Sequence, residues 1–217
     1  MIDFKGAIFD LDGTLFDSMP VWENVAIDYL KSRGIEPDAS VREAVRAMSI
    51  QQACRLFCLE YGLSATEAEV IDGVNALIWD FYFHKVTLKP GVLAALEHLK
   101  SRGVRMCIAT ATDRPLVSGG LQRTGIAPFF DAVFTCTEAG AGKDRPDIFL
   151  QALDFLGTGL ESTMVFEDAL YAVRTAKAAG FRVTALYDAA ADHQQAEIRR
   201  LAEAYYLSFT DWLAVNS

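Results

Sequence analysis

Cysteine is scarce in this chain. The four present, Cys54, Cys58, Cys107 and Cys136, are too few and too scattered among 217 residues for the disulfide framework of a small secreted domain. Cys54 and Cys58 lie one helical turn apart, yet no neighbouring His or further Cys completes a tetrahedral zinc set, and the expectation is reduced thiols packed on a helix. Histidine is also sparse: His84, His98 and His193 share no motif. Long apolar runs are missing, since "AIF" is followed at once by Asp10 and Asp12, and nothing reaches the roughly 20 residues of a membrane span. The opening "MIDFKG" lacks the basic flank and apolar stretch of a signal peptide, which places the expected compartment in the cytosol. Basic charge is in deficit, with 20 Lys and Arg against 29 Asp and Glu. The resulting net charge of −9 disfavours nucleic acid and anionic membranes as partners. An acidic protein that handles an anionic substrate must supply its own local positive charge.

Apolar residue is plentiful, at 52% of the chain, enough for a sizeable core. Short β-rich runs recur at 6–11, 104–110, 132–136, 163–168 and 182–188. Stretches of helical length and period lie between them at 91–103, 114–125, 147–157 and 169–180. This alternation predicts βαβ units and an α/β fold, a three-layer Rossmann-like parallel sheet flanked by helices. Gly103, Gly125, Gly157 and Gly180 stand where left-handed helix caps are wanted. From Ser18 to His84 the patterning is helical only, with Ser18 and Pro20 able to open the first helix. The expected organisation is therefore a core of residues 1–17 and 85–217 with an inserted all-helical subdomain at 18–84. Trp79, Phe81, Tyr82 and Phe83 are expected in the core of that insertion.

Ligands of open parallel sheets bind beyond the carboxyl ends of the strands. Polar residues close those strands here: Asp10 and Asp12 after the first, Thr110 and Thr112 after the second, Glu167 and Asp168 after the fourth, with Lys143 ahead of "RPDIF". In an extended chain Asp10 and Asp12 would point the same way, and Gly13 would let the backbone turn directly after them. Paired carboxylates joined by a second acidic pair suit a hard divalent cation with oxygen ligands, with Mg²⁺ the expected ion, which offsets their mutual repulsion.

"DLDGT", the Thr after the second strand, the Lys before "RPDIF" and "FEDA", in that order, resemble the four signature motifs of the haloacid dehalogenase (HAD) superfamily. The helical insertion resembles the C1 cap of its β-phosphoglucomutase-like and phosphoglycolate-phosphatase-like branch. The resemblance implies that Asp10 attacks phosphorus and carries an aspartyl-phosphate, while Asp12 protonates the leaving oxygen and later activates water. It implies that Thr110, with Ala111 beside it, and Lys143 bind the transferring phosphoryl group. It also implies that Mg²⁺ is held by the Asp10 side chain, the Asp12 backbone carbonyl and Asp168, with Glu167 ligating directly or through water.

Where the chain departs from these relatives, substrate choice is at issue. The β-phosphoglucomutases carry a His about a dozen positions after the nucleophile and a basic residue after a Ser in the cap loop, where an ungapped reading finds Trp22 and Ile50. A mutase must hold a bisphosphate by its second phosphate, and Ile50 offers it no charge. The expected activity is thus a Mg²⁺-dependent phosphatase acting on a small phosphorylated metabolite, a sugar phosphate or phosphoglycolate-like acid. A phosphosugar mutase is the alternative, and a phospho-accepting signalling module is a third. Specificity is expected from "RAMSIQQ" (46–52), with Arg46, Ser49, Gln51 and Gln52 as polar candidates.

Overall fold

The computed structural model describes residues 3–45, 48 and 50–217, without the side chains of Ile50 and Gln51. Strand β1 (Gly6–Phe9) is buried throughout, as its run of apolar residues demands of a strand covered on both faces. It pairs in parallel with β2 (Arg105–Thr110) on one side and β4 (Thr163–Glu167) on the other. With β3 (Ala132–Thr135), β5 (Arg182–Leu186) and β6 (Ala204–Tyr206) the sheet runs β3-β2-β1-β4-β5-β6, all parallel. The sixth strand was not legible in the sequence, because three residues are too few to show a period.

Side-chain alternation divides the core into two layers. Ala7 and Phe9 face one cluster, which α5 (Val92–Ser101), α6 (Arg114–Thr124) and α11 (Phe209–Asn216) cover with Leu96, Leu116, Phe209 and Trp212. Ile8 faces the other, which is covered by α8 (Asp147–Leu156), α9 (Leu170–Ala178) and α10 (Gln195–Leu201). A short helix, α7 (Cys136–Ala139), follows β3. Gly125 and Gly157 cap α6 and α8 in the left-handed conformation, as the sequence predicts. The cysteines are free thiols.

Between β1 and α5 the described residues form four helices, α1 (Met19–Ser32), α2 (Val41–Val45), α3 (Ile50–Glu60) and α4 (Glu67–His84). They enclose Tyr29, Leu30, Phe57, Val70, Val74 and Ile78. Thr66 and Glu69 form a reciprocal capping box at the start of α4. The two chain crossings into this insertion run side by side, with Asp17 N donating to Thr87 O at 3.0 Å and Lys89 N to Leu15 O at 2.9 Å. Of the aromatic run in α4, Tyr82 is buried, whereas Trp79 is 45% exposed and stacks on Phe83. Ser18 occupies the cap position of α1, but its hydroxyl does not cap the helix. It is diverted to Asp12.

Candidate active site

The hydrogen-bonded ladder of β1 stops at Phe9, short of the expected residue 11, although Asp10 N still donates to Phe166 O at 2.9 Å. The chain then turns at Gly13, whose φ of +92° is open to glycine and strained for other residues. A Cβ there would lie 2.5 Å from Asp168 Oδ2, so the missing side chain also lets the first and fourth strand ends approach. Because the strand ends early, the two aspartates do not share one set of partners as an extended chain would have them do.

Asp10 belongs to the acidic side. Its Oδ1 accepts from Lys143 Nζ at 2.5 Å, and Lys143 also donates to Glu167 Oε1 at 2.6 Å. Glu167 Oε2 accepts the backbone N–H groups of Asp168 and Ala169 at 2.9 and 3.1 Å. Asp168 Oδ1 accepts the Thr14 hydroxyl at 2.9 Å. All four charged groups are buried. Burial opposes the charge on Lys143, but Asp10 and Glu167 outweigh it and hold its pKa well above the ordinary value. Burial, followed by the charges of Asp10 and Glu167, pushes Asp168 well up. Burial raises Glu167 too, against the pull of Lys143.

One oxygen of Asp10, Oδ2, is buried with no hydrogen-bond partner. Carboxylate oxygens of Asp10, Glu167 and Asp168 lie within 4.8 Å of one another. An orphaned anionic oxygen inside such a cluster is costly unless a cation meets it, so these residues fit a divalent metal with oxygen ligands.

Asp12 lies in a different setting. Its Oδ1 accepts the Ser18 hydroxyl at 2.6 Å and the Tyr82 hydroxyl, and its Oδ2 accepts the Thr112 hydroxyl at 2.6 Å. Trp22 Nε1 donates in turn to the Tyr82 oxygen at 2.7 Å. Burial and the nearby Asp10 raise the Asp12 pKa despite these hydroxyls. A buried carboxyl with a raised pKa, beside one locked in an ion pair, is an arrangement suited to acid and nucleophile roles in one site.

Asp10, Asp12, Thr110, Ala111, Glu167 and Asp168 line a cavity of about 500 Å³ between the sheet edge and the insertion. The Thr110 hydroxyl accepts from Thr112 N at 3.0 Å. Away from the carboxylates the cavity's polar groups are Glu23, Asn24 and Arg42 of the insertion and Gln194, with Arg42 donating to Asn24 at 2.9 Å. Arg46, Ser49 and the Gln51 side chain lie outside the described residues. Met48 of the expected contact loop lines the cavity, whereas Gln52 is not among the lining residues. The segment is helical from Ile50, and α3 turns Ala53 and Phe57, one turn apart, to the cavity instead. Thr14, Tyr82, Arg42 and Asn24 were missed as site residues. Only the Thr of "DLDGT" carried any local signal.

Fold and site together define a parallel α/β protein with a helical insertion and a metal-capable acidic centre at the carboxyl edge of its sheet. The chain belongs to the haloacid dehalogenase-like hydrolases, whose family profile matches residues 4–180. It is 30% identical over 194 residues to hexitol phosphatase A of Escherichia coli, covering 84% of this chain and 82% of that one. It is 24% identical over 176 residues to a phosphorylated carbohydrates phosphatase of Thermotoga maritima, covering 81% and 82%. The structure of CbbY from Rhodobacter sphaeroides in complex with phosphate superposes with a TM-score of 0.83 at 21% identity, over 95% of each chain. The protein is an enzyme of the HAD phosphatase class, a phosphoric monoester hydrolase. No described helix is long and apolar enough to cross a membrane.

Proposed function

We propose that the enzyme hydrolyses a small phosphorylated metabolite, a sugar phosphate or phosphoglycolate-like acid, with Mg²⁺ and in the cytosol, through an aspartyl-phosphate. The observation that carries this is the division of labour between two neighbouring aspartates: Asp10 paired with Lys143 and keeping one buried oxygen without a hydrogen bond, Asp12 surrounded by hydroxyls with a raised pKa. Phosphorylated carbohydrates are the favoured substrates because the hexitol and carbohydrate phosphatases among the relatives align over most of both chains.

Asp10 attacks phosphorus, and the bond from phosphorus to the leaving oxygen breaks with its electron pair on that oxygen. Asp12 delivers a proton to it. Water then attacks the phosphorus of the aspartyl-phosphate, Asp12 takes the water's proton, and Asp10 leaves as carboxylate. Thr110 and Lys143 hold the phosphoryl oxygens, and Lys143 supplies part of the positive charge that the chain as a whole lacks. Asp10, Asp168, the Asp12 backbone carbonyl and Glu167 would hold Mg²⁺, which contributes charge neutralisation when bound.

Phosphate release from a panel of hexose, hexitol and pentose phosphates and phosphoglycolate, with Mg²⁺, identifies the substrate class. The Asp12→Asn enzyme should give a stoichiometric burst from p-nitrophenyl phosphate followed by slow turnover, and Asp10→Asn none. A burst from Asp10→Asn would reverse the roles. Bisphosphate-primed interconversion of a hexose 1-phosphate and its 6-phosphate would establish the mutase alternative instead.

A further inference from the structure

We propose that Tyr82, oriented by Trp22, is a positioning residue that decides which oxygen of Asp12 carries the transferable proton. The inference rests on Asp12 being the acid and base. Tyr82 sits in the last turn of α4, fully buried, with Phe16 and Trp22 against its ring. Packing alone would be served by phenylalanine, and a buried hydroxyl is unfavourable unless it is bonded.

The direction of that hydroxyl follows from its neighbours. An indole N–H can only donate, so the Tyr82 oxygen accepts from Trp22 at 2.7 Å. Its single proton is left for Asp12 Oδ1. Ser18 adds a second donor to the same oxygen at 2.6 Å. The hydroxyls of Ser18 and Thr112 turn freely about a single bond, but that of Tyr82 is held by the indole.

Oδ1 is therefore a committed acceptor. Oδ2 is left for the transferable proton: the Thr112 hydroxyl at 2.6 Å donates to it in the ionised carboxylate and can accept from it once it is protonated. Both Asp12 and Thr112 line the cavity where the leaving group must sit. Tyr82 and Trp22 belong to the insertion and Thr112 to the sheet edge, so the carboxyl is oriented from both sides of the cavity.

The test compares two leaving groups of nearly equal size. Phenyl phosphate needs its oxygen protonated, whereas p-nitrophenyl phosphate departs with little help. Single-turnover phenol release, with enzyme in excess and Mg²⁺ present, reads the first step directly. Tyr82→Phe should slow release from phenyl phosphate about 10-fold or more, within the 10²–10⁴ that proton transfer supplies, and from p-nitrophenyl phosphate less than about 2-fold. Trp22→Phe should do the same, and Trp22→His, which restores an N–H donor, should recover most of the loss. Equal slowing of both substrates by Tyr82→Phe, or a raised KM with unchanged rate, would mean a packing role and overturns the inference. Asp12→Asn separates the two levels. If it fails to distinguish the substrates, the acid and base assignment falls and takes the inference with it. If it distinguishes them while Tyr82→Phe does not, the inference alone falls.

Discussion

Asp168→Asn should stabilise the metal-free enzyme while removing its response to Mg²⁺. The carboxylates of Asp10, Glu167 and Asp168 lie within 4.8 Å of one another, and at that separation two like charges repel by about 3.5 kcal/mol at an effective dielectric near 20. Lys143 is bonded to Asp10 and Glu167, whereas Asp168 accepts the Thr14 hydroxyl, which an Asn carbonyl would also accept. Neutralising Asp168 thus removes repulsion without breaking an ion pair. Burial and then the charge of Asp10 push the Asp168 pKa well up, as expected of a group this repulsion disfavours, while the charge of Lys89 pulls the other way and its lost attraction offsets part of the gain. The remaining gain is about 1–2 kcal/mol, or roughly 2–8 °C in Tm for a chain of this size. With Mg²⁺ at ~100 times its Kd the unmodified enzyme gains about 2.7 kcal/mol and the variant almost nothing. Thermal melts should rank the variant first in EDTA and second in Mg²⁺, with hydrolysis down at least about 100-fold. A variant that melts several degrees lower in EDTA, or that keeps the full Mg²⁺ shift, would refute the cluster as a cation site.

Gly13→Ala should raise the Mg²⁺ concentration giving half-maximal activity, since φ is +92° and the new methyl lies 2.5 Å from Asp168 Oδ2; metal titration of initial rates checks it. Gly91→Ala should cost about 3 kcal/mol or more in urea unfolding, because φ is +84° and the methyl would meet the Thr210 backbone nitrogen at 2.2 Å. The KM of the folded fraction should be unchanged. Lys89 donates to Gly13 O, Tyr187 O and Asp188 Oδ2 at 2.6, 2.7 and 2.8 Å. Lys89→Met should therefore lose about 3–5 kcal/mol in the same assay, much of it from the stranded Asp188 carboxylate.

What the sequence determined by itself was local. The strand and helix periods declared an interrupted parallel α/β fold, because alternation and glycine caps act over a few residues. "DLDGT", Lys143 and "FEDA" declared the acidic centre, because the chemistry of each lies within its own short segment and parallel topology brings strand ends together. The division between the two aspartates was decided only in three dimensions. Asp12 is held by hydroxyls 6, 70 and 100 residues away, and Thr14 reaches Asp168 across 154. No spacing rule connects residues so far apart. In sequence Tyr82 is one aromatic of a core-forming run, and Ser18 is a helix opener. Only the closing of the insertion onto the sheet edge, with the chain turned early at Gly13, places their hydroxyls on a carboxylate.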